Sequence, residues 1–403
     1  MKILQVNWSD MIGRAFNGYD LHVELNRRGI HAKQLVLQKQ SNLESVIELQ
    51  HDEVLHNEIV YLEKKESITD LLYPYALKIA NMDCFKSADV VHYHILHGMV
   101  SLFDYPFLMN LKPSVLTIHD LWPLTGKCIH PLDCEKWKSG CEMCDRKNEI
   151  FYSQQIDNSR LMWEIKKRVY EDISPYLILG SNFTDEYVKQ SLALHNKRSK
   201  IIPFGVNCDA FHVDSKIEYR NKYGIGTDKV VIGYRAENYS IKGCDILYQA
   251  LEALTTIRSH VAILSVGNGK VPERIRELFD VYEFGWVNDE AKMRELLVSC
   301  DIFVMPSLAE TFGLMAIESM AAGNAFVCFE GTVLEDVTES PECGIAVEKG
   351  SERALGKALL ELCENTELRE QRSMKCRQLV EQKYQFNRYV DEHIAVYEEI
   401  LRG

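Results

Sequence analysis

Ala309-Glu310-Thr311-Phe312-Gly313-Leu314-Met315-Ala316-Ile317-Glu318 is the stretch that decides the fold. The run before it, Asp301-Ile302-Phe303-Val304-Met305-Pro306-Ser307, is short and apolar, which predicts a buried parallel strand. Gly313 through Ala322 predicts a helix with a face of small residues. A strand passing through a loop into a helix is the repeating unit of α/β sheets, and ligands bind outside the carboxyl ends of such strands. The first N–H groups of the helix lack partners within it and carry positive partial charge, so they suit a phosphate. Glu310 and Glu318 bracket the junction with carboxylates that accept bonds from sugar hydroxyls, Glu310 facing a hexose and Glu318 a ribose. Two acids at this spacing also occur as a polar loop residue and a solvated helix position, and the junction alone leaves both readings open.

Working outward, the second half of the chain predicts further strands at Val230 to Arg235, His260 to Gly267, Val281 to Trp286 and Ala325 to Phe329. The first half predicts them at Lys2 to Trp8, Ala32 to Gln38, Ala88 to His94, Ser114 to His119 and Tyr176 to Ser181. Strands alternating with helical patterns imply parallel sheets covered by helices. At 403 residues the chain exceeds the length over which one core keeps growing, so two Rossmann-like domains of about 200 residues each are expected. Lys200-Ile201-Ile202-Pro203-Phe204-Gly205-Val206-Asn207-Cys208-Asp209-Ala210-Phe211 joins them, with Pro and Gly releasing the chain from a strand into a loop. The division is therefore 1–200 and 201–380, and the terminal segment 381–403 carries Phe386, Tyr389, Val390, Ile394, Tyr397 and Ile400 at helical spacing.

The composition is that of an ordinary globular protein, 46% hydrophobic and 26% charged, with a net charge of −13. That balance argues against a nucleic-acid binder, whose affinity comes from clustered cations, so any anionic ligand needs local Lys and Arg. No apolar run approaches the roughly 18 residues that span a bilayer. Met1 to Trp8 turns polar too soon for a signal peptide, which predicts a cytoplasmic protein. Twelve cysteines without an export signal favour reduced thiols or a metal site over a disulfide framework.

The string Glu310-Thr311-Phe312-Gly313-Leu314, then Glu318, then Ala321-Ala322-Gly323 resembles the E-x7-E segment of retaining GT-B glycosyltransferases, the large group called family 4 or group 1. The resemblance implies two Rossmann-like parallel-sheet domains facing across a cleft. The first would take the acceptor, with 381–403 crossing back to it, and the second the nucleotide-sugar donor. In place of a metal held by Asp-x-Asp, a spacing absent from this sequence, the family uses an Arg and a Lys after the first strand of the second domain. Gly233-Tyr234-Arg235-Ala236-Glu237-Asn238-Tyr239-Ser240-Ile241-Lys242-Gly243 fits: Arg235 offers a forked donor and Lys242 a point charge to a diphosphate whose negative charge grows as the glycosidic bond breaks. Taken alone, the segment also reads as Arg235 paired with Glu237 and Lys242 solvated. The family pattern further implies donor contacts from Gly13, Val287, Phe312, Gly313, Leu314 and Glu318, and catalytic roles for Glu310, Arg235, Lys242 and His119. His119 stands in Thr117-Ile118-His119-Asp120-Leu121-Trp122, where a lone histidine is otherwise a packed polar residue. At the connection the family pattern Pro-Asn-Gly-Val-Asp is broken by Phe204 in the Asn place.

A bacterial subgroup making capsule, exopolysaccharide or O-antigen carries a similar His-Asp-x-Trp-x-x-Thr-Gly segment followed by clustered cysteines. Here Cys128, Cys134, Cys141 and Cys144 follow Gly126 as Cys-x5-Cys-x6-Cys-x2-Cys. Four thiolates suit a structural zinc, with free thiols and a labile disulfide as alternatives. The resemblance implies a retaining sugar transfer that needs no cofactor for catalysis, from a nucleotide sugar, UDP before GDP, to a glycan or lipid-linked acceptor. A sugar-nucleotide epimerase or hydrolase of the same architecture, and a binding protein with a degenerate cleft, are the rivals. The basic runs Lys166-Lys167-Arg168 and Asn196-Lys197-Arg198-Ser199-Lys200 read either as peripheral contacts with an anionic membrane or as solvated helix faces.

Overall fold

Each half of the chain forms one parallel sheet, and the order of its strands decides where a ligand can bind. The computed structural model describes residues 1–146 and 155–402. The chain divides into two compact units, Met1–Phe204 with Val390–Gly403, and Gly205–Tyr389. The return to the first unit thus begins at Val390, inside the helix Phe386–Arg402, and not at residue 381.

The first unit holds seven strands: β1 Lys2–Ser9, β2 His31–Gln38, β3 Val46–Glu48, β4 Val90–Tyr93, β5 Ser114–Ile118, β6 Tyr176–Leu179 and β7 Ser199–Ile201. They lie in the order β3-β2-β1-β4-β5-β6-β7. The second unit holds β8 Val230–Arg235, β9 Val261–Val266, β10 Asp280–Glu283, β11 Ile302–Met305, β12 Ala325–Phe329 and β13 Ile345–Val347, ordered β10-β9-β8-β11-β12-β13. In each sheet the winding reverses once, between β1 and β4 and between β8 and β11. Loops leaving neighbouring strands diverge at such a reversal and open a crevice at their carboxyl ends. Asp301, just before β11, secures the second reversal: its carboxylate accepts the Val231 N–H at 2.8 Å and an Arg220 N–H at 2.6 Å.

The two sheets differ in what they bury. In the first unit one face presents Leu4, Val6, Leu35, Val91, Tyr93, Leu116 and Ile118 to a large apolar core. The alternate residues on the other face include Gln5, Gln34, His92 and Thr117, all buried. Parallel register sets Gln34, Gln5 and His92 in one row across β2, β1 and β4. His393 and Tyr397 of the last helix meet this polar face, Tyr397 through a 2.8 Å bond to His92 Nδ1. The second unit's sheet is apolar on both sides, with Ile232, Tyr234, Ile263 and Val304 in one cluster and Val231, Ala262 and Leu264 in another.

Two strands escape the sequence pattern, β3 and β13. Each has three residues and lies at a sheet edge, where a strand is short and half-covered and leaves little periodicity to read. Several of the others stop earlier than their apolar runs. His94, His119 and Trp286 lie beyond the last paired residue, in the loops. Among the described residues, no helix is long and apolar enough to cross a membrane.

Candidate active site

In the second unit the loops leaving β8 and β11 are fastened together by the backbone. The Leu308 N–H donates to the Ile241 carbonyl at 2.8 Å. Gly243, at φ +66°, comes so close to Pro306 that an added Cβ would sit 1.9 Å from its carbonyl oxygen. Only a glycine can take this left-handed turn against backbone. The result is that Lys242 Nζ lies 2.6 Å from Glu310 Oε1, which also accepts the Ser307 hydroxyl at 3.0 Å. The two side chains are 28% and 14% exposed, so the pair is neither interior nor fully solvated. An ammonium has three donors, so Lys242 can hold Glu310 and still reach a phosphate oxygen.

Arg235, at the end of β8, does pair with Glu237, Nε and Nη2 both reaching Oε1 at 2.6 Å. Its guanidinium also lies over the Trp286 ring, 5.3 Å from the centroid. Trp286 is 55% exposed and its Nε1–H donates to Asn288 at 2.6 Å. Val287 beside it is half-buried and packs on the same cluster as Met315. Thus the loop after β10 joins those after β8 and β11, bringing an exposed indole to the rim. Trp286 closes an apolar run in the sequence, which predicts a strand end, whereas β10 stops at Glu283 and leaves the indole in the loop.

The helix Leu314–Ala321 begins at Gly313, whose φ of +86° turns the chain into its first turn. Leu314 and Glu318, one turn apart and half-buried, share a face, while Ala316, Ile317, Met320 and Ala321 are buried on the core side. Phe312 is different. It is 1% exposed and meets Tyr384 edge-on at 6.1 Å, so its side chain is a packing element, and of the predicted donor contact only its backbone remains.

In the first unit His119 follows β5. Its Nε2 lies 3.0 Å from His94 Nδ1, just past β4, and the rings of Phe16 and Phe204 flank it at 6.2 Å. Phe16 and Phe204 meet each other at 4.7 Å. Phe204, the departure from the family pattern, therefore forms a wall of the histidine's pocket. Burial, and then neighbouring His393, push the His119 imidazolium down to about 3, so the ring is neutral at pH 7. Asp120 accepts the Trp122 N–H at 2.8 Å, and burial lifts its carboxyl above the ordinary range against the pull of His97, that N–H and Lys166. His94, His119, Asp120 and Trp122 help line a cavity of about 40 Å³, roughly a single water's worth of space. Gly13 lies in the exposed loop after β1 at φ +66°, and an added Cβ there would meet nothing within 4 Å. His94 was missed, although His92-x-His94-x-x-His97 at the end of a predicted strand was its signal.

One other expectation changes. Lys166 is 1% exposed: its ammonium donates to the Trp122 carbonyl at 2.7 Å and lies 3.7 Å from the centre of that indole. It is an interior cation that braces the loop after His119, and it cannot belong to a membrane-facing surface. Lys197 reaches the Glu171 carbonyl at 3.2 Å, and Arg198 pairs with Glu399 at 2.5 Å, so the second basic run is largely engaged within the unit. Among the described residues no disulfide joins Cys128, Cys134, Cys141 and Cys144, and no three His, Cys, Asp or Glu side chains converge as a metal set. Cys141 instead accepts the Gly126 N–H at 3.1 Å, and burial pushes its thiol up to about 11. Cys128 and Cys134 add to that rise, so these thiols gather near one another, and a structural zinc on the four cysteines stands as a proposal.

A family model described as glycosyl transferases group 1 matches residues 229–365. The D-inositol 3-phosphate glycosyltransferase of Mycolicibacterium smegmatis is 30% identical over 157 residues, 36% of each chain. The putative colanic acid biosynthesis glycosyl transferase WcaC of Escherichia coli is 23% identical over 269 residues, 62% of each. These alignments span about one third to three fifths of the relatives' lengths. Among solved structures, Anabaena HepE in complex with UDP-glucose has a TM-score of 0.66 at 16% identity, over 98% of this chain and 100% of that one. Sucrose-phosphate synthase of Thermosynechococcus elongatus reaches 0.68 at 17%, over 100% and 99%. Likeness at such low identity speaks to fold, and it extends over the whole chain, while the family match lies on the unit that holds Arg235, Lys242 and Glu310. Residues 229–365 match the group 1 glycosyltransferases, and the chain is built on the GT-B plan.

Proposed function

We propose that this protein is a retaining glycosyltransferase that moves a sugar from a nucleotide-sugar donor to a glycan or lipid-linked acceptor in cell-surface polysaccharide synthesis. The observation that carries the reading is the meeting of Lys242 and Glu310 at the reversal point of the second sheet, with Arg235 at the end of the adjoining strand. A cation pair at that place suits a diphosphate, and a carboxylate beside it suits the hydroxyls of the attached sugar. UDP is the favoured nucleotide, supported by the UDP-glucose in the HepE complex, with GDP the alternative. A cytoplasmic site is part of the same proposal, since twelve cysteines in one chain favour a reducing compartment over a disulfide framework.

In the reaction the bond from the anomeric carbon to the donor phosphate oxygen breaks, and its electron pair leaves on the nucleoside diphosphate. An acceptor hydroxyl forms the new bond on the same face, and its proton passes to the departing phosphate oxygen. Arg235 and Lys242 stabilise the charge gathering on that phosphate, which is work a divalent metal does elsewhere, so metal-independent transfer is part of the proposal. In this reading Glu310 orients the sugar and Glu318 the ribose, and His119 is assigned, by the family pattern alone, to the transferred group.

A thermal-shift screen with UDP-, GDP- and ADP-sugars, followed by NMR of the product's anomeric configuration, tests this. Stabilisation by a UDP-sugar and a product with the donor's configuration are expected. An inverted product would overturn the retaining assignment, and absence of any shift would overturn the donor assignment.

A further inference from the structure

His94 is buried, outside the recognised motifs, and bonded to the one first-unit side chain assigned to the sugar. We infer that His94 is a positioning residue that fixes the orientation and tautomer of His119. This rests on the reading of His119 as a group that contacts the transferred sugar.

His94 sits at the reversal point of the first sheet, where its N–H donates to the Val6 carbonyl of β1 at 3.0 Å. The ring is held on both sides. It lies 4.0 Å, centroid to centroid, from His92, whose nitrogens are fixed by the Tyr397 hydroxyl at 2.8 Å and the Thr117 hydroxyl at 2.7 Å. On its other flank, a Cβ added at Gly18 would come within 2.6 Å of His94 Nε2. Little freedom is left to the ring, and its Nδ1 is aimed at His119 Nε2.

Burial keeps both rings neutral, the imidazolium of each lying below its ordinary range. A neutral pair joined by one bond has a single hydrogen between its nitrogens, so two arrangements exist. If His119 donates, His94 must carry its own hydrogen on Nε2, a buried position without a partner among the described residues. If His94 donates, its Nε2 is a bare acceptor that buries no unpaired hydrogen, and the Gln5 side-chain amide, itself without a partner among the described residues, lies by the same Gly18 position, 3.2 Å from an added Cβ. The second arrangement matches the surroundings. It leaves His119 with its hydrogen on Nδ1, the nitrogen with no protein partner among the described residues and so available to donate to a sugar oxygen.

Three variants and one spectroscopic measurement test the assignment. In His94→Asn the side-chain amide overlays Nδ1, in His94→Gln it overlays Nε2, and His94→Leu removes the bond. Turnover is read as UDP release from UDP-glucose, and tautomers by 15N NMR of protein labelled at histidine. His119 is expected as the Nδ1–H form in the wild type and in His94→Asn, and as a mixture in His94→Gln and His94→Leu. The latter two should lose about tenfold to a hundredfold in kcat, the order expected of a slightly misplaced group, with UDP affinity unchanged. An Nε2–H tautomer in the wild type, or wild-type kcat in His94→Leu, overturns the inference. The tautomer measurement needs no turnover, and if His94→Leu does not fold, the Asn and Gln pair decides. Full activity in His119→Ala would instead defeat the reading of His119 itself, leaving the tautomer result to judge His94 separately.

Discussion

The second unit sets half-exposed ion pairs at its reversal point, and the first sets a buried row of neutral side chains at its own. Around β8 and β11, Lys242, Glu310, Arg235 and Glu237 are ionic, partly exposed and paired with one another. Around β1, β4 and β5, the polar face of the sheet carries buried neutral imidazoles, amides and hydroxyls, the imidazoles bonded to hydroxyls and to each other, while Asp10, Asp120 and Lys166 lie in the surrounding segments. The difference matches what each can offer a ligand. Half-solvated ion pairs are worth little to stability, so a phosphate exchanges partners with them at small cost. A buried neutral network resists exchange and offers fixed directions, which suits orientation of an uncharged sugar.

The sharpest way to break this contrast is to separate Glu310 from Lys242. Replacing Glu310 by Ala should reduce transfer about a hundredfold to a thousandfold, the order for loss of one preorganised transition-state contact, with the melting temperature nearly unchanged. Glu310→Gln should also lose turnover, yet release Lys242 from its partner, so calorimetry should find UDP affinity preserved or raised. Normal turnover in either variant would remove Glu310 from the chemistry.

Next in size, Lys242→Ala and Arg235→Ala should each weaken UDP binding about tenfold to a hundredfold, as expected for one charge-assisted bond. For Lys242→Ala the loss should be the greater, because Glu310 is then left facing the diphosphate without its cation. Unchanged affinity in both would mean that the diphosphate lies elsewhere, and the contrast between charged and neutral units would lose its functional meaning.

What could be read from the chain before folding follows the same division. The second unit's strands alternate with helices in long apolar runs, and Arg235, Lys242, Glu310 and Glu318 lie in contiguous motifs. Strand order is not local: nothing in Ser240-Ile241-Lys242-Gly243 says that it will zip onto Pro306 and Leu308, since that depends on β11 lying beside β8. In the first unit His94 and Phe204 take their meaning only from a neighbour, His119, met through sheet register and packing. The basic run at Lys166 misled because charge in a sequence is read as exposure. Here the ammonium is held inside by a carbonyl and an indole.

Acid should act on the first unit through its histidines. The imidazolium of His119 is depressed to about 3 and that of His22 to about 4, and His92 and His94 lie well below the ordinary value of 6.5. In each case burial is the largest cause. A depressed histidine takes up its proton more readily in the unfolded chain. Its contribution is therefore fully present above pH 6.5 and is lost as pH falls toward the folded value. Each such residue adds about 1.4 kcal/mol per pH unit to the slope within that window. Urea unfolding between pH 7 and pH 5 should show a falling midpoint, and His92→Gln should make the fall shallower. A pH-independent midpoint would mean that these groups are not buried neutral in solution.

The smallest effect expected concerns the aromatic wall. Phe16 meets both Phe204 and His119 edge-on, at 4.7 and 6.2 Å, and such a pair adds about 0.5–1.5 kcal/mol beyond its buried area. Phe16→Leu keeps most of the apolar volume and removes the ring contacts, so a fall of a few degrees in melting temperature is expected. If the bond from His94 sets the ring of His119, kcat should stay within about threefold, because the lost contacts touch the faces of the imidazole and not its nitrogens. A loss of kcat as large as that of His94→Leu would show that aromatic packing, and not the hydrogen bond, holds the histidine. The first unit's neutral site would then be a matter of shape, and its contrast with the charged second unit would rest on burial alone.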